Sequence, residues 1–328
     1  MAAPIASGST ADEVVAALGC DATTLAGRTV VLTGATAGIG RATALCLASL
    51  GPTLVCGCRS EEKGKALIDG LHAELSPPPS VFAPHLELSD LDSVRAFAAE
   101  VASRLASGEW PPLHSLVLNA GAINLSANFG ADGMENTFRA NHLGHFLLTQ
   151  LLLPFLRSAA PARVVVVASG SHFGPLATAK RALDDEHAWL EDVIYPPPAR
   201  WSMSRGNAAY GSSKLANVLF ASELHRREAA MRTGVAACSL HPGNMMATDI
   251  ARGSWFVNAL MKAGGLLGMT RSMAQGAATT VLCTLAGHQS LRGQYWSDCG
   301  EAEASWRAVV SPATPSLETL SSHRHIDT

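Results

Sequence analysis

Short runs of valine, leucine and threonine alternate along the chain with longer stretches whose apolar residues recur every three or four positions. Runs such as "RVVVVAS" are apolar on successive residues, as expected for strands buried on both faces of a parallel sheet. The expected strands cover 29–33, 53–57, 81–86, 115–118, 163–168, 235–240 and 294–296. Helices are expected between them, over 39–50, 61–75, 91–106, 135–158, 208–231 and 272–286. This alternation predicts an α/β fold, a single Rossmann-type doubly wound parallel sheet of about seven strands with helices on both faces.

Loops are marked by "SPPPS" at 76–80 and by the prolines at 196–198, and no repeat or linker divides the chain. The expected organisation is an N-terminal extension over 1–25, with a short helix at 12–18 packed outside the core. A Rossmann domain follows over 26–310, then a polar, proline-containing flexible tail over 311–328.

Charge narrows the function. The chain has 24 Lys and Arg against 27 Asp and Glu, a net charge of −3, with no block of one sign, so no nucleic-acid partner is expected. Seven scattered cysteines, an odd number without paired spacings, argue against a disulfide framework and a zinc site. No run of 18 apolar residues exists, so no spanning membrane segment is expected; peripheral contact remains compatible with the sequence. The first basic residue is Arg28, which argues against a secretory or transit leader and for a cytoplasmic protein.

The candidate chemistry begins at "TVVLTGATAGIG", where a strand enters a turn holding Gly34, Gly38 and Gly40 and leaves as a helix. Glycines there let backbone N–H groups approach a pyrophosphate at the helix N-terminus. At the end of the second strand, "LVCGCRS" offers no carboxylate for a ribose 2′-hydroxyl. Arg59 stands there instead, with Arg41 just past the glycine turn, so NADP(H) is expected over NAD(H). "YGSSK" sets Tyr210 and Lys214 four apart on one helix face. A phenol that acts near neutrality must come down from about 10, and a nearby ammonium with an oxidised nicotinamide favours the phenolate. Ser169 follows the most apolar strand, Asn141 lies in "RANHLGHFLLTQ", and Asn119, Ala120 and Gly121 end the strand "LVLNAG".

In this order and combination, these motifs resemble the short-chain dehydrogenase/reductase superfamily from about Thr10 to Ala304. "RANHLGHF", "RVVVVASGSH", "LHPGNMMATDI" and "QGAATTVLCTL" resemble its retinol-dehydrogenase-like branch, including the oxidoreductases that carry tandem WW domains. No such modules precede the domain in this sequence, so peptide recognition through them is not implied. The resemblance implies that Tyr210 is the general acid/base and that Lys214 lowers its pKa and binds the nicotinamide ribose. It implies that Ser169 bonds the substrate oxygen, and that Asn141 holds a water relaying protons to Lys214. For the cofactor it implies Gly34, Thr36, Gly38, Ile39, Gly40, Arg59, Glu87, Leu88, Asn119, Ala120, Gly121, Tyr210, Lys214, Pro242, Gly243 and Thr248. Glu87 stands where the family usually has Asp, and Thr248 lies about one place late.

The apolar stretch at 250–273, with Trp255, Phe256, Leu260, Met261, Leu266, Leu267 and Met269, is expected to be a helical lid over a lipophilic alcohol, aldehyde or ketone. His142 and His145 have a metal-like spacing but no third ligand nearby, so no metal is expected. A homodimer through helices 208–231 and 272–286 is compatible with the family pattern. The favoured function is an NADP(H)-dependent oxidoreductase. Its alternative is a cofactor-binding regulatory scaffold with little turnover, which would have no chemical need for all four of Asn141, Ser169, Tyr210 and Lys214.

Overall fold

A computed structural model of the chain describes residues 4–174, 190–243, 271–302 and 304. The strands are β1 Thr29–Thr33, β2 Thr53–Gly57, β3 Val81–Phe82, β4 Leu113–Leu118, β5 Ala162–Val167, β6 Val235–His241, β7 Tyr295–Ser297 and β8 Gly300–Ala302. They form one sheet in the order β3-β2-β1-β4-β5-β6-β7-β8. All neighbours run parallel except β7 and β8. The strand order reverses between β1 and β4, which opens a crevice at the carboxyl ends of the strands.

The described helices of seven residues or more are α1 Ala11–Ala17, α2 Gly38–Ala48, α3 Glu61–Glu74, α4 Leu91–Ala106, α5 Gly144–Ser158, α6 Met203–Ala230 and α7 Met273–Leu285. Val30, Leu32, Val165 and Val167 pack with α1, α2, α3 and α7 on one face. Val31, Val164 and Val166 pack with α4, α5 and α6 on the other. Period-two alternation along β1 and β5 thus feeds two separate cores.

Several expectations need correction. To the seven expected strands the sheet adds an eighth. β8 is a three-residue antiparallel strand, reached through a tight turn in which Asp298 and Cys299 both have positive φ, and it carries no apolar run to announce it. β3 is two residues long, prolonged only by a bridge between Cys58 and His85. The helix expected over 135–158 is broken by a π turn at Arg139–Leu143. α6 starts at Met203, ahead of the expected 208, because Ser202 caps it by accepting from the Arg205 N–H. The short N-terminal helix does not lie outside the core: Ala11 and Val14 are buried within it, against α2 and α7. Arg271 and Gln275 fasten the preceding segment by donating to Ser7 Oγ and Gly8 O.

Candidate active site

The carboxyl ends of β1, β4, β5 and β6 carry the Gly34 turn, Asn119, Ser169 and His241 to one edge of the sheet. Thr33 organises the first two. Its hydroxyl oxygen accepts from the Asn119 and Ala120 N–H groups, both at 3.0 Å. The Asn119 side chain answers by donating to the Thr33 carbonyl at 2.9 Å. Gly34 has φ +72°, and Gly40 packs so closely beneath it that a Cβ would sit 2.0 Å from the Gly34 carbonyl oxygen. The turn is compressed in a way only glycine allows.

The N-terminus of α2 has no side-chain cap at Ala37. By contrast, Thr10, Ser60, Asp90, Ser202 and Ser272 cap α1, α3, α4, α6 and α7. First-turn N–H groups left uncapped at a glycine turn could hold an anionic pyrophosphate, and Thr36, Gly38, Ile39 and Gly40 form that turn and the start of α2. Arg59 stands beyond β2 with its side chain 61% exposed, in a loose 3.9 Å contact with Glu87. Arg41 is committed to Glu74. Glu87 also accepts from the Ser89 N–H and hydroxyl. Leu88 is buried, and its carbonyl lies against Gly144, where a Cβ would come within 2.2 Å.

Asn141 sits in the π turn, where the Gly144 N–H reaches back to the Arg139 carbonyl. Its side-chain oxygen accepts from the Ala122 N–H, while its amide donates to the Ala122 carbonyl and to Ser213 Oγ. Asn141 therefore braces the exit of β4 against α6. Lys214 is buried and donates from Nζ to the Val167 carbonyl at 3.0 Å. A Cβ on Gly121 would lie 2.9 Å from Lys214 Nζ and 3.8 Å from Asn141 Oδ1, so both groups border the same small space.

Tyr210 is buried one helical turn before Lys214, whose Nζ lies 5.8 Å from the phenol ring centre. Burial holds the Tyr210 phenol above its ordinary value, and a hydrogen bond with the Ser169 side chain offsets only part of that rise. Burial likewise pushes the Lys214 ammonium down, to about 8. The Ser169 hydroxyl is also engaged with Ser171, accepting from its N–H at 3.2 Å and donating to its Oγ at 3.3 Å.

His172 bonds the Ser169 carbonyl through Nδ1, and His241 accepts from the Gly170 N–H. Gly243, after Pro242, has φ +110° and faces Arg271, which pairs with Asp298. The four expected catalytic residues thus lie on elements that meet at one edge. Thr248 and all but the last three residues of the lid expected over 250–273 lie outside the described residues, and Met273 at its end already belongs to α7. The parts played by Thr33, the Val167 carbonyl and Asn217, which donates to the Asn141 carbonyl, are not readable from the sequence, where His145 reads only as a core or cofactor-proximal histidine; the "NHLGH" spacing is the one hint of a buried polar network. Among the described residues no group of three metal-ligating side chains occurs, and no helix is long and apolar enough to cross a membrane.

Comparison with known proteins bears on the family and the fold. A family described as short chain dehydrogenase matches residues 28–180. A WW domain-containing oxidoreductase of Danio rerio is 39% identical over 300 residues, covering 90% of this chain and 68% of that protein. Retinol dehydrogenase 12 of Mus musculus is 36% identical over 283 residues, covering 86% of this chain and 81% of that one. The chain spans about two thirds of the length of the WW domain-containing oxidoreductases it matches. In fold it is similar to a short chain dehydrogenase from Burkholderia cenocepacia J2315 in complex with NADP. The TM-score is 0.61 and the identity 22%, over 84% of this chain and 97% of that one.

Proposed function

The chain belongs to the short chain dehydrogenase family, and from that premise we propose that it interconverts a lipophilic alcohol and its aldehyde or ketone with NADP(H). One observation carries the reading. Lys214 Nζ is buried beside Gly121, a helical turn from a phenol that shares a hydrogen bond with Ser169. A buried ammonium beside a buried phenol serves no packing purpose, and its charge opposes the upward push of burial on the phenol once a phenolate forms.

In the proposed reduction, the Ser169 and Tyr210 hydroxyls hold the carbonyl oxygen of the substrate. NADPH, when bound there, would supply the hydride. Tyr210 gives its proton to the oxygen as the alcohol forms, and the Lys214 ammonium stabilises the phenolate left behind. A water in the space bordered by Asn141 Oδ1 and Lys214 Nζ would return the proton through Lys214. The uncapped N-terminus of α2 would take the pyrophosphate, and Arg59 the 2′-phosphate. The lipophilic substrate class rests on the retinol dehydrogenase relative and on the apolar composition of 250–273.

The test is NADPH oxidation against a panel of apolar aldehydes and ketones, with Tyr210→Phe as the control. Turnover in the wild type that falls by two or more orders of magnitude in the variant supports the reading. Equal rates would end it in favour of a cofactor-binding scaffold.

A further inference from the structure

His145 lies on α5, 1% exposed, away from any surface at which it could meet a substrate. Both of its ring nitrogens are bonded: Nε2 to Thr33 Oγ1 at 2.9 Å, and Nδ1 to the Asn141 carbonyl at 3.0 Å. The proton positions follow from counting donors. Thr33 Oγ1 already accepts from the Asn119 and Ala120 N–H groups, so its single proton points to His145. Nε2 is therefore the acceptor, and Nδ1 carries the proton and donates to the Asn141 carbonyl. That carbonyl also accepts from Asn217 Nδ2 at 3.0 Å, which leaves Asn217 Oδ1 to accept from His142 Nδ1 at 2.9 Å. Burial holds His145 neutral, its pKa lowered to about 3.

The bonds run in one direction, from the main chain that would cradle the cofactor to the residue that braces the catalytic helix. On the reading of the site given above, we infer that His145 is a positioning residue that couples the Thr33–Asn119–Ala120 cradle to Asn141. One arm fixes the Thr33 hydroxyl, and through it the Asn119–Ala120 turn against which a dinucleotide lies. The other fixes the π turn, and through the Asn141 side chain the Ala122 exit and Ser213, next to Lys214. A buried packing residue would need neither arm: an apolar side chain would fill the space without orienting two polar groups.

Two conservative variants separate the arms. In His145→Asn the amide nitrogen can stand at the Nδ1 position and keep the bond to Asn141. In His145→Gln the amide oxygen can stand at the Nε2 position and keep the bond to Thr33. The expected result is a split. His145→Asn weakens NADPH binding, measured by fluorescence titration, by about ten-fold with little change in kcat. His145→Gln lowers kcat by about ten-fold with little change in NADPH affinity. Equal effects of both variants on both quantities, or a loss of thermal stability alone, would reduce His145 to packing.

A measurement on the wild type needs no variant to fold. Imidazole nitrogen NMR with residue-specific assignment should show His145 with a protonated Nδ1 and a bare Nε2, invariant from about pH 5 to about pH 8. The opposite tautomer overturns the inference. If the wild type reduces no carbonyl, the proposed function fails at its own test, while the tautomer and the NADPH affinities still decide the role of the Thr33 arm.

Discussion

The ammonium of Lys214 donates to the main-chain carbonyl of Val167 across 3.0 Å, tying α6 to the last residue of β5, two positions before Ser169. The bond sets the register between the two elements that bear the expected proton-transfer residues. It is buried, and burial is what brings Lys214 down to about 8.

The sign of the resulting pH dependence is fixed. Below about pH 8 the ammonium is present and, in the proposed mechanism, would stabilise the phenolate; above it the charge is lost. Carbonyl reduction measured as kcat/KM should be level on the acid side and fall above about pH 8. Lys214→Met should lower the plateau roughly a hundred-fold and abolish that limb. A limb that survives in the variant belongs to another group.

Two glycines should be intolerant for different reasons. A Cβ at Gly40 meets the Gly34 carbonyl, which is backbone and cannot swing aside. Gly40→Ala should therefore open the turn and weaken NADPH binding ten-fold or more by titration, on the order of the lost contacts to a pyrophosphate. A Cβ at Gly121 meets only the end of Lys214, which can shift. Gly121→Ala should leave the protein folded and bind cofactor, yet lower kcat about ten-fold by moving Nζ. Wild-type kcat in Gly121→Ala would mean that the lysine position is not critical.

The main elements and the family motifs were more legible in the sequence than the polar scaffold around the candidate site. β1 and β2 match their expected limits because each is a continuous apolar run, β1 closing at the Gly34 turn. Leu91–Ala106 was readable as a helix bounded by Asp90, which caps it. β8 was not, because a three-residue strand is fixed by its partner β7 and not by its own pattern. Nor was the early start of α6, since Gly206 is a poor helix former; it is there because the helix packs on the Asn124 carbonyl, which a Cβ would approach to 2.6 Å. The bond from Thr33 to His145 joins residues 112 positions apart, a link that local periodicity does not reveal.

The buried carboxylate of Glu228 joins the ends of α5 and α6. It accepts from Arg157 Nε at 2.9 Å and Nη2 at 2.6 Å, and from the Thr233 hydroxyl at 2.7 Å. Glu228→Gln loses the charge and can satisfy only part of this set, so it should lower unfolding free energy in urea by about 1–3 kcal/mol. The site lies far from the Gly34 turn in sequence and shares no hydrogen bond with it, so NADPH affinity should not change. A variant as stable as the wild type would show that Arg157, half in solvent, finds water an equal partner.

Two buried histidines should make the fold sensitive to mild acid. His145 and His114 both have pKa values lowered to about 3, chiefly by burial. His114 accepts at Nε2 from Arg28, which can only donate, and so carries its proton on Nδ1 toward Ser115 Oγ. Each is neutral when folded, whereas an imidazole in the unfolded chain titrates near 6.5. Below about pH 6.5 the unfolded chain therefore takes up protons that the folded one refuses, and stability falls with pH. The loss is about 1.4 kcal/mol per pH unit for each histidine, continuing toward pH 3. Urea unfolding at about pH 7.5 and about pH 5.5 should differ by roughly 2–3 kcal/mol from this pair alone. His114→Gln should remove about half of that slope. Equal stability of the wild type at the two pH values would require that one or both rings accept a proton in place, against the donors they already face.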